Sequence, residues 1–456
     1  MPSNTNLGGV FMTDIDGGLS SGKLVSTENV CGIIFDTSIV GGISQALSGD
    51  AAIKFANGNV VEFNDPKEAQ ELLENEMCGL PYLHIKDFFT IAGSNQRLFV
   101  SFMDSDKDPD FEAVEKMQLA ANGIIYQIGV WTSKPIAKKT DDGDYKVDDD
   151  GPLSRLQAIA ERLGGQIGVT NYEGNSPVNI LVNAQILNEA VVDPSRLPDL
   201  TTLNFPKVSV VLGQSSADSR RAVQFALVNQ ADAPVYVTVG NVGVALGCLA
   251  LASVEQSIGN VKLFNLTKVM TECELGFGDL SLNEGKTAFA DTASFTNIKS
   301  INYTKRNNWL HRKGYIFLRD YDGIENGVFF SSDQTLSTGD YRRISRGRTM
   351  HKSRRVVRLT LLNYMEENVE VDTSTGYIAS ADATLIVNAI YNALDTNMVQ
   401  PMSPKTSQIS GRQVIFDTEQ NILADDQFLV SYAIVPKGIA SAIYCTEGFV
   451  STVSNS

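Results

Sequence analysis

YRRISRGRTMHKSRRVVR, residues 341–358, holds eight cations and no acid: Arg342, Arg343, Arg346, Arg348, Lys352, Arg354, Arg355 and Arg358. The chain around it has 456 residues and a formal net charge of -16. A basic run points first to nucleic acid, whose phosphates are densely charged. Its bland reading is a solvated helix face. Arg348, Lys352 and Arg355 stand at i, i+4 and i+7, so a helix puts them on one face. Cations without interleaved acids repel each other, which favours a partner surface over a solvated one. Tyr341 is the only aromatic in the run, and single-stranded nucleic acid usually wants stacking rings.

Working outward, the run leads into RLTLLNYMEENV (358–369), which is helical in character. ADATLIVNAIYNALDTNMV (381–399) reads as a second helix, with Leu385, Ala389 and Ala393 on one face. QVIFDTEQ (413–420), FLVSYAIVPKG (428–438) and AIYCTEGFV (442–450) read as strands. Upstream, KGYIFLRDY (313–321) and GVFFSS (327–332) are strands around a turn at Asp322-Gly323.

From about 99 to 265 strand and helix alternate. GIIYQIGVW (123–131), VNILVN (178–183), KVSVVLG (207–213) and PVYVTVG (234–240) read as buried strands. PLSRLQAIAERLGG (152–165), SRRAVQFALVN (219–229) and VGVALGCLALA (242–252) read as helices, and 132–151 as a polar hairpin turning at Asp141-Asp142-Gly143. CGIIFDTSIV (31–40) and LFVSFM (98–103) are further strands, with a helix at DPKEAQELLENEM (65–77) carrying Leu72 and Leu73 on its apolar side. The order predicts an α/β (α+β) chain whose sheet is mostly parallel and flanked by helices. The length suits two or three domains.

Chemical motifs fail on particular residues. Gly17-Gly18-Leu19-Ser20-Ser21-Gly22-Lys23-Leu24 nearly matches a phosphate loop, but Leu24 replaces the hydroxyl that holds magnesium. Asp104, Asp106, Asp108 and Glu115 match part of a calcium loop, yet Pro109 stands where glycine must turn. Asp108-Pro109-Asp110 reads better as a helix start. Gly240, Gly243 and Gly247 follow a strand, but their spacing is not the dinucleotide fingerprint. Small residues there serve close packing of the helix on its sheet. Cys31, Cys78, Cys248, Cys273 and Cys445 are far apart with no C-x-x-C, against a disulfide framework or a zinc ribbon. His84, His311 and His351 form no ligand pair. No enzyme, cofactor or metal is expected. MPSNTNLGG has no signal-peptide pattern, and Val242–Val254 is too short to cross a bilayer.

The order of features resembles contractile tail sheath proteins of phage tails and phage-tail-like injection systems. The carrying segments are NNWLHRKGYIFLRDYDGIENGVFFSSDQTL (307–336), DYRRISRGRTMHKSRRVVRLTLLNYMEENV (340–369) and QVIFDTEQNILADDQFLVSYAIVPKGIASAIYCTEGFV (413–450). The last holds the pattern Ile434-Val435-Pro436-Lys437-Gly438-Ile439-Ala440-Ser441-Ala442-Ile443. NLGGVFMTDIDGG (6–18) is similar to the opening arm of the family, VVEFNDPKEAQELL (60–73) to a segment after an early glycine-rich strand, and DFFTIAGSNQRLFVSFM (87–103) to a later strand pair.

The resemblance implies a multi-domain structural subunit: an arm over 1–30, an outer α/β region over 31–299, and a mixed-sheet tube-facing domain over 300–456 with a C-terminal strand arm at 442–456. It implies stacked six-membered rings around an inner tube, contraction that drives the tube into a target, and baseplate and tail-terminator or cap partners. Nucleic acid and membrane insertion are not implied. Assembly is expected in the bacterial cytoplasm, followed by a virion tail or injection particle. Strand exchange between copies is assigned to Val10, Phe11, Met12, Thr13 and Ile15 and to Ile443, Tyr444, Cys445, Phe449 and Val450. An arm of about 12 extended residues reaches roughly 40 Å. The eight cations of 342–358 are assigned to an acidic tube, with Arg348, Lys352 and Arg355 foremost. The alternative is a nucleic-acid-binding structural protein using 342–358.

Overall fold

Runs of Val, Ile and Phe without polar alternation make strands that bury both faces. The computed structural model describes residues 28–38, 47–74, 79–94, 96–132, 134–142, 144–165, 174–184, 197–212, 240–267, 310–319, 321, 323–324, 327–401 and 406–445. In chain order the elements are β1 (Cys31–Asp36), α1 (Gly49–Lys54), β2 (Val61–Phe63), α2 (Pro66–Leu73), α3 (Leu80–Ala92), β3 (Leu98–Met103), α4 (Ala113–Ala120), β4 (Gln127–Trp131), β5 (Ala137–Lys139), β6 (Tyr145–Val147), α5 (Pro152–Gly164), β7 (Asn179–Ala184), β8 (Val208–Leu212), α6 (Val242–Leu251), β9 (Tyr315–Ile316), β10 (Leu318–Arg319), β11 (Phe329–Phe330), α7 (Ile344–Leu362), α8 (Ser380–Leu394), β12 (Ile409–Phe416) and β13 (Val430–Pro436).

Seven strands form one sheet in the order β2-β3-β1-β4-β7-β8-β9. Only β2 is antiparallel to its neighbour; the other pairings are parallel. Helices cover both faces. Phe88 of α3 and Leu246 of α6 pack with Ile33, Leu181 and Val211 on one side. Met117 of α4 and Leu156 of α5 pack with Ile34, Val130 and Val182 on the other. The mixed α/β class and the mostly parallel, helix-flanked sheet read from the sequence are both present. So is the polar hairpin, with Ala137 opposite Val147.

The boundary expected at 300 is corrected. Tyr315 and Ile316 pair with Val210 and Val211, so they complete the sheet of the preceding region. The β10–β11 pair follows directly, and Phe330 joins the same core. A third core begins only in the second half of α7. There Val357 and Leu361 meet Ile386, Ile390 and Leu394 of α8, with Val414 and Ile434 of the two-stranded ribbon β12–β13. The expected face of α8 is also corrected: Leu385 is 62% exposed, and the buried stripe runs through Ala383, Ile386, Ile390 and Leu394. The 358–369 helix is instead the end of α7, which takes in the whole basic run after Arg343 and stops at Leu362.

The arm residues Val10, Phe11, Met12, Thr13 and Ile15, the Gly17–Leu24 stretch, the 219–229 helix, residues 234–239 of an expected strand, and Phe449 and Val450 lie outside the described residues. Residues 442–445 are described and form no strand within the chain. No described helix is long and apolar enough to cross a membrane.

The glycines of α6 let it sit between β4 and α3. A Cβ at Gly243 would lie 2.3 Å from the His84 carbonyl oxygen, and one at Gly247 2.9 Å from that of Phe88. The close approach is therefore to α3, whereas the sequence reading placed it against the sheet. On the sheet side it is Gly129 of β4 that yields, with Val242 and Leu246 filling the space. Backbone cannot retreat as a side-chain tip can, so Gly243→Ala should cost about 1–3 kcal/mol by overpacking. Urea unfolding of the full chain will show this as a lower midpoint with an unchanged slope.

Candidate functional site: a basic helix among main-chain carbonyls

In a sheet of this handedness each helix runs back against its strands. Helix C-termini therefore gather at the N-terminal ends of the strands. Those helix ends carry carbonyls without intrahelical partners and the negative pole of the macrodipole. The first half of α7 lies across this end of the sheet. Its approach is close: a Cβ at Gly347 would stand 2.8 Å from Asn179 Oδ1, at the first residue of β7.

Arg348 is fully buried. Its Nη2 donates to the carbonyls of Leu249 (2.8 Å), Ala252 (3.0 Å) and Glu28 (3.0 Å), and Nη1 to Ser253 (3.3 Å). Three of these acceptors cap the end of α6, and Glu28 lies just before β1. Arg355 donates to Ile124 (3.0 Å), Ile125 (2.7 Å) and Pro177 (2.9 Å), on the approaches to β4 and β7. Its guanidinium lies 4.1 Å from the Tyr126 ring centroid, a cation–π contact. Arg354 donates to Gly164 at the end of α5 and to Gly174 (3.0 Å). Lys207, just before β8, donates its ammonium to Gly165.

Lys352 pairs with Glu28, both side chains only 6% exposed. Gln408 bridges Glu28 Oε1 (3.3 Å) and Ser253 Oγ (3.0 Å). At the head of α7 the Asp333 carboxylate accepts from Ser345 N (3.1 Å) and pairs with Arg343 (2.5 Å). That is an acid at the positive helix end.

The expected outward face is therefore corrected. Arg348, Lys352 and Arg355, with Arg354, are inside the subunit and unavailable to an outside partner. A guanidinium carries five donors in a fixed fork, which suits converging carbonyls better than a compact ammonium does. Burial pushes Arg348 and Arg355 below the ordinary arginine value, with nearby Glu28 and Glu255 opposing this at Arg348. The cations left at the surface are Arg342, which is exposed, and Arg346 and Arg358, which are partly exposed. Glu28, Asp333, Asn179 and Gln408 were not singled out from sequence. The available signal was the small residues Ser345, Gly347, Thr349 and Ser353 set among the arginines, which a solvated face does not need.

The other end of the sheet is closed chemically. By chain order its parallel strands run second, first, third, fourth, fifth, sixth, which puts the topological switch point between β1 and β4, where such sheets commonly bind ligands. Asp36 stands there, fully buried. It accepts from Ser38 N (2.9 Å), Ser105 N (3.0 Å), Ser105 Oγ (2.7 Å) and Thr132 Oγ1 (2.6 Å). A carboxylate has about four acceptor positions, so this one is saturated by the chain itself. In the calcium-like stretch, Asp108 caps α4 through Glu112 N (2.8 Å) and Ala113 N (3.0 Å), as a helix start requires. No group of ligating residues that could hold a metal occurs among the described residues.

The β12–β13 ribbon has no third strand among the described residues. On it, Ile415 is 54% and Val435 56% exposed, and further along the chain Ile443 is 87% and Tyr444 96% exposed.

The helical sheath of the anti-feeding prophage in its contracted state aligns at a TM-score of 0.54 and 12% identity, over 98% of this chain and all (100%) of that one. The contracted sheath complex of an extracellular contractile injection system, PVC, gives 0.54 and 12% over 99% of each chain. A chain of the contracted anti-feeding prophage baseplate gives 0.52 and 12%, over 98% of this chain and 99% of that one. The chain has the fold of contractile sheath proteins. The alignments extend over 98% and 99% of this chain. A family profile, the C-terminal domain of DUF2586, matches residues 340–454. No curated protein is matched.

Two measurements test the buried cluster. Arg348→Lys keeps the charge but loses the fork, and should lower unfolding free energy by about 3–5 kcal/mol, the scale of a broken buried ionic network. Arg342→Ala should stay within about 0.5 kcal/mol of the parent. His351 is buried against Asn179 Nδ2 (3.4 Å). Burial, then Lys207, Arg355, Arg354 and Arg348, holds its imidazole well below the ordinary value of 6.5. The unfolded chain takes up a proton that the folded chain refuses. This contribution is therefore complete above pH ~6.5 and is lost as the pH falls through that value. Between pH 7 and 5.5 about 1 kcal/mol should disappear, and His351→Gln should flatten that part of the urea-midpoint profile.

Proposed function

We propose that this chain is the structural subunit of a contractile sheath: copies stack as six-membered rings around an inner tube, and contraction drives the tube into a target. The observation that carries this reading is the match to sheath chains over 98% and 99% of this chain and 100% and 99% of theirs. The exposed ribbon supports it independently. A two-stranded sheet is marginal alone, and open edges beside exposed apolar residues invite strand addition. Strands from neighbouring copies are the fitting occupants, supplied by the segment around Val10, Phe11, Met12, Thr13 and Ile15 and by the tail around Ile443, Tyr444, Cys445, Phe449 and Val450.

The tube contact falls to Arg342, just before α7, to Arg346 in its first turn, and to Arg358. Such half-solvated pairs are worth about 0–1 kcal/mol each. Repeated around a ring they hold register, and singly they release easily. The seven-stranded α/β region, completed by β9, then faces outward. The free energy of contraction resides in the lattice, and no nucleotide is consumed. Baseplate and terminator or cap proteins bound the stack, which assembles in the bacterial cytoplasm before serving in a tail or injection particle. The nucleic-acid alternative loses ground, since four of its eight cations are committed to the interior of the subunit.

Ile443→Lys with Tyr444→Lys should abolish tubes and rings in negative-stain micrographs of the full-length protein. Because both side chains are exposed, the unfolding free energy should stay within about 0.5 kcal/mol of the parent. Tubes of unchanged length from the double variant would remove the tail from the assembly.

A further inference from the structure

Two segments that the proposed lattice would pull on leave the described fold beside α7. The N-terminal segment, 1–27, joins at Glu28. The tail beyond β13 passes Ser441. Glu28 is gripped four ways: its carboxylate by Lys352 and Gln408 (3.3 Å), and its carbonyl by Arg348 (3.0 Å) and Gln127 (3.2 Å). Gln408 is the residue before β12, so the start of the ribbon is tied into the same buried cluster. Ser441 accepts from Arg343, whose other nitrogen is held by Asp333.

We infer that α7 is a force-coupling joint between copies: Lys352, Arg348 and Arg343 fix the roots of the N-terminal segment, the ribbon and the tail to one rigid helix, so that tension entering by one is delivered to the others without crossing the sheet. Arg343 stands at the head of α7, and Lys352 lies about 12 Å along the helix from its first residue, Ile344. The roots are therefore held at a set spacing by a rod, where a loop would let them drift. The buried Glu28–Lys352 pair suits that task. It is shielded from salt, unlike an exposed pair, and it opposes withdrawal of the chain at Glu28. This inference rests on the sheath reading, since tension requires neighbours that pull.

The experiment compares the full-length parent with E28Q/K352M, which removes both charges and retains similar volume, and with K352R, which retains the pair. Urea titrations follow two signals: intact tubes counted by negative stain, and tryptophan fluorescence for subunit unfolding. For E28Q/K352M, at a urea concentration where the subunit remains folded, intact tubes should fall by about tenfold against the parent, the order of a typical coupling between sites. K352R should behave as the parent. Equal displacement of both signals in E28Q/K352M would mean that the pair only stabilises the subunit, and would overturn the joint, as would unchanged tubes. If E28Q/K352M does not fold, S441A, which removes the exposed tie between Arg343 and the tail, gives the same comparison. A parent that forms neither tubes nor rings would overturn the sheath reading itself, and the joint with it.

Discussion

The fold depends on guanidinium groups answering main-chain carbonyls. A helix-flanked parallel sheet leaves one end rich in unpaired C=O groups and in the negative poles of several helices. Water usually meets that need. Here α7 covers the end, and each carbonyl it covers must be paired again, at a cost of about 1–3 kcal/mol if left unmade. Arg348 serves the end of α6 and Arg354 the end of α5. Arg355 serves the approaches to β4 and β7. Backbone carbonyls carry only partial charges, so the cluster needs few carboxylates. That is how a basic run with no acid of its own sits inside an acidic chain.

This arrangement also determines how the chain is divided. The first half of α7 belongs to the sheet region through its arginines. The second half belongs to the C-terminal core through Val357 and Leu361. One unbroken helix joins them, and the boundary that the family resemblance implied near 300 falls before β9, the last strand of the sheet region. Strands β9 to β11 lie in apolar runs that read as strands, but at two residues each they carry no pattern that names their partners. Their membership is settled by pairing with β8 and by packing beneath α3 and α6, both non-local.

What could be read from sequence was whatever a local period or cap specifies. The β1, β3, β4, β7 and β8 strands are apolar runs, and Pro152 and Gly165 bracket α5. What could not be read was burial of charge. Spacing told that Arg348, Lys352 and Arg355 share a face, and they do. It could not say that the face looks onto carbonyls, because backbone acceptors leave no trace in residue identity. The same gap explains α8. Leu385 looks like a core residue by hydropathy, yet the phase is set by Ile386 and Ile390, one position on, where the ribbon lies. Glu28 and Gln408 are 380 residues apart, and only the folded chain brings them together.

The interior and the surface of this subunit are made of different bonds, and the difference bears on how a lattice of it would work. Inside, charges are desolvated and held by several partners each, so losing one partner strands the rest. Outside, Arg342 and Arg346 are solvated, and the ribbon presents apolar side chains and strand edges that water serves poorly. Strand addition would satisfy those edges with many main-chain hydrogen bonds at once, and such a link persists while both strands stay paired. Charge pairs of a few tenths of a kcal/mol would part first under load. A particle that must keep its subunits joined while they let go of a common axis needs both kinds of contact on one subunit, and α7 is the element that carries the boundary between them.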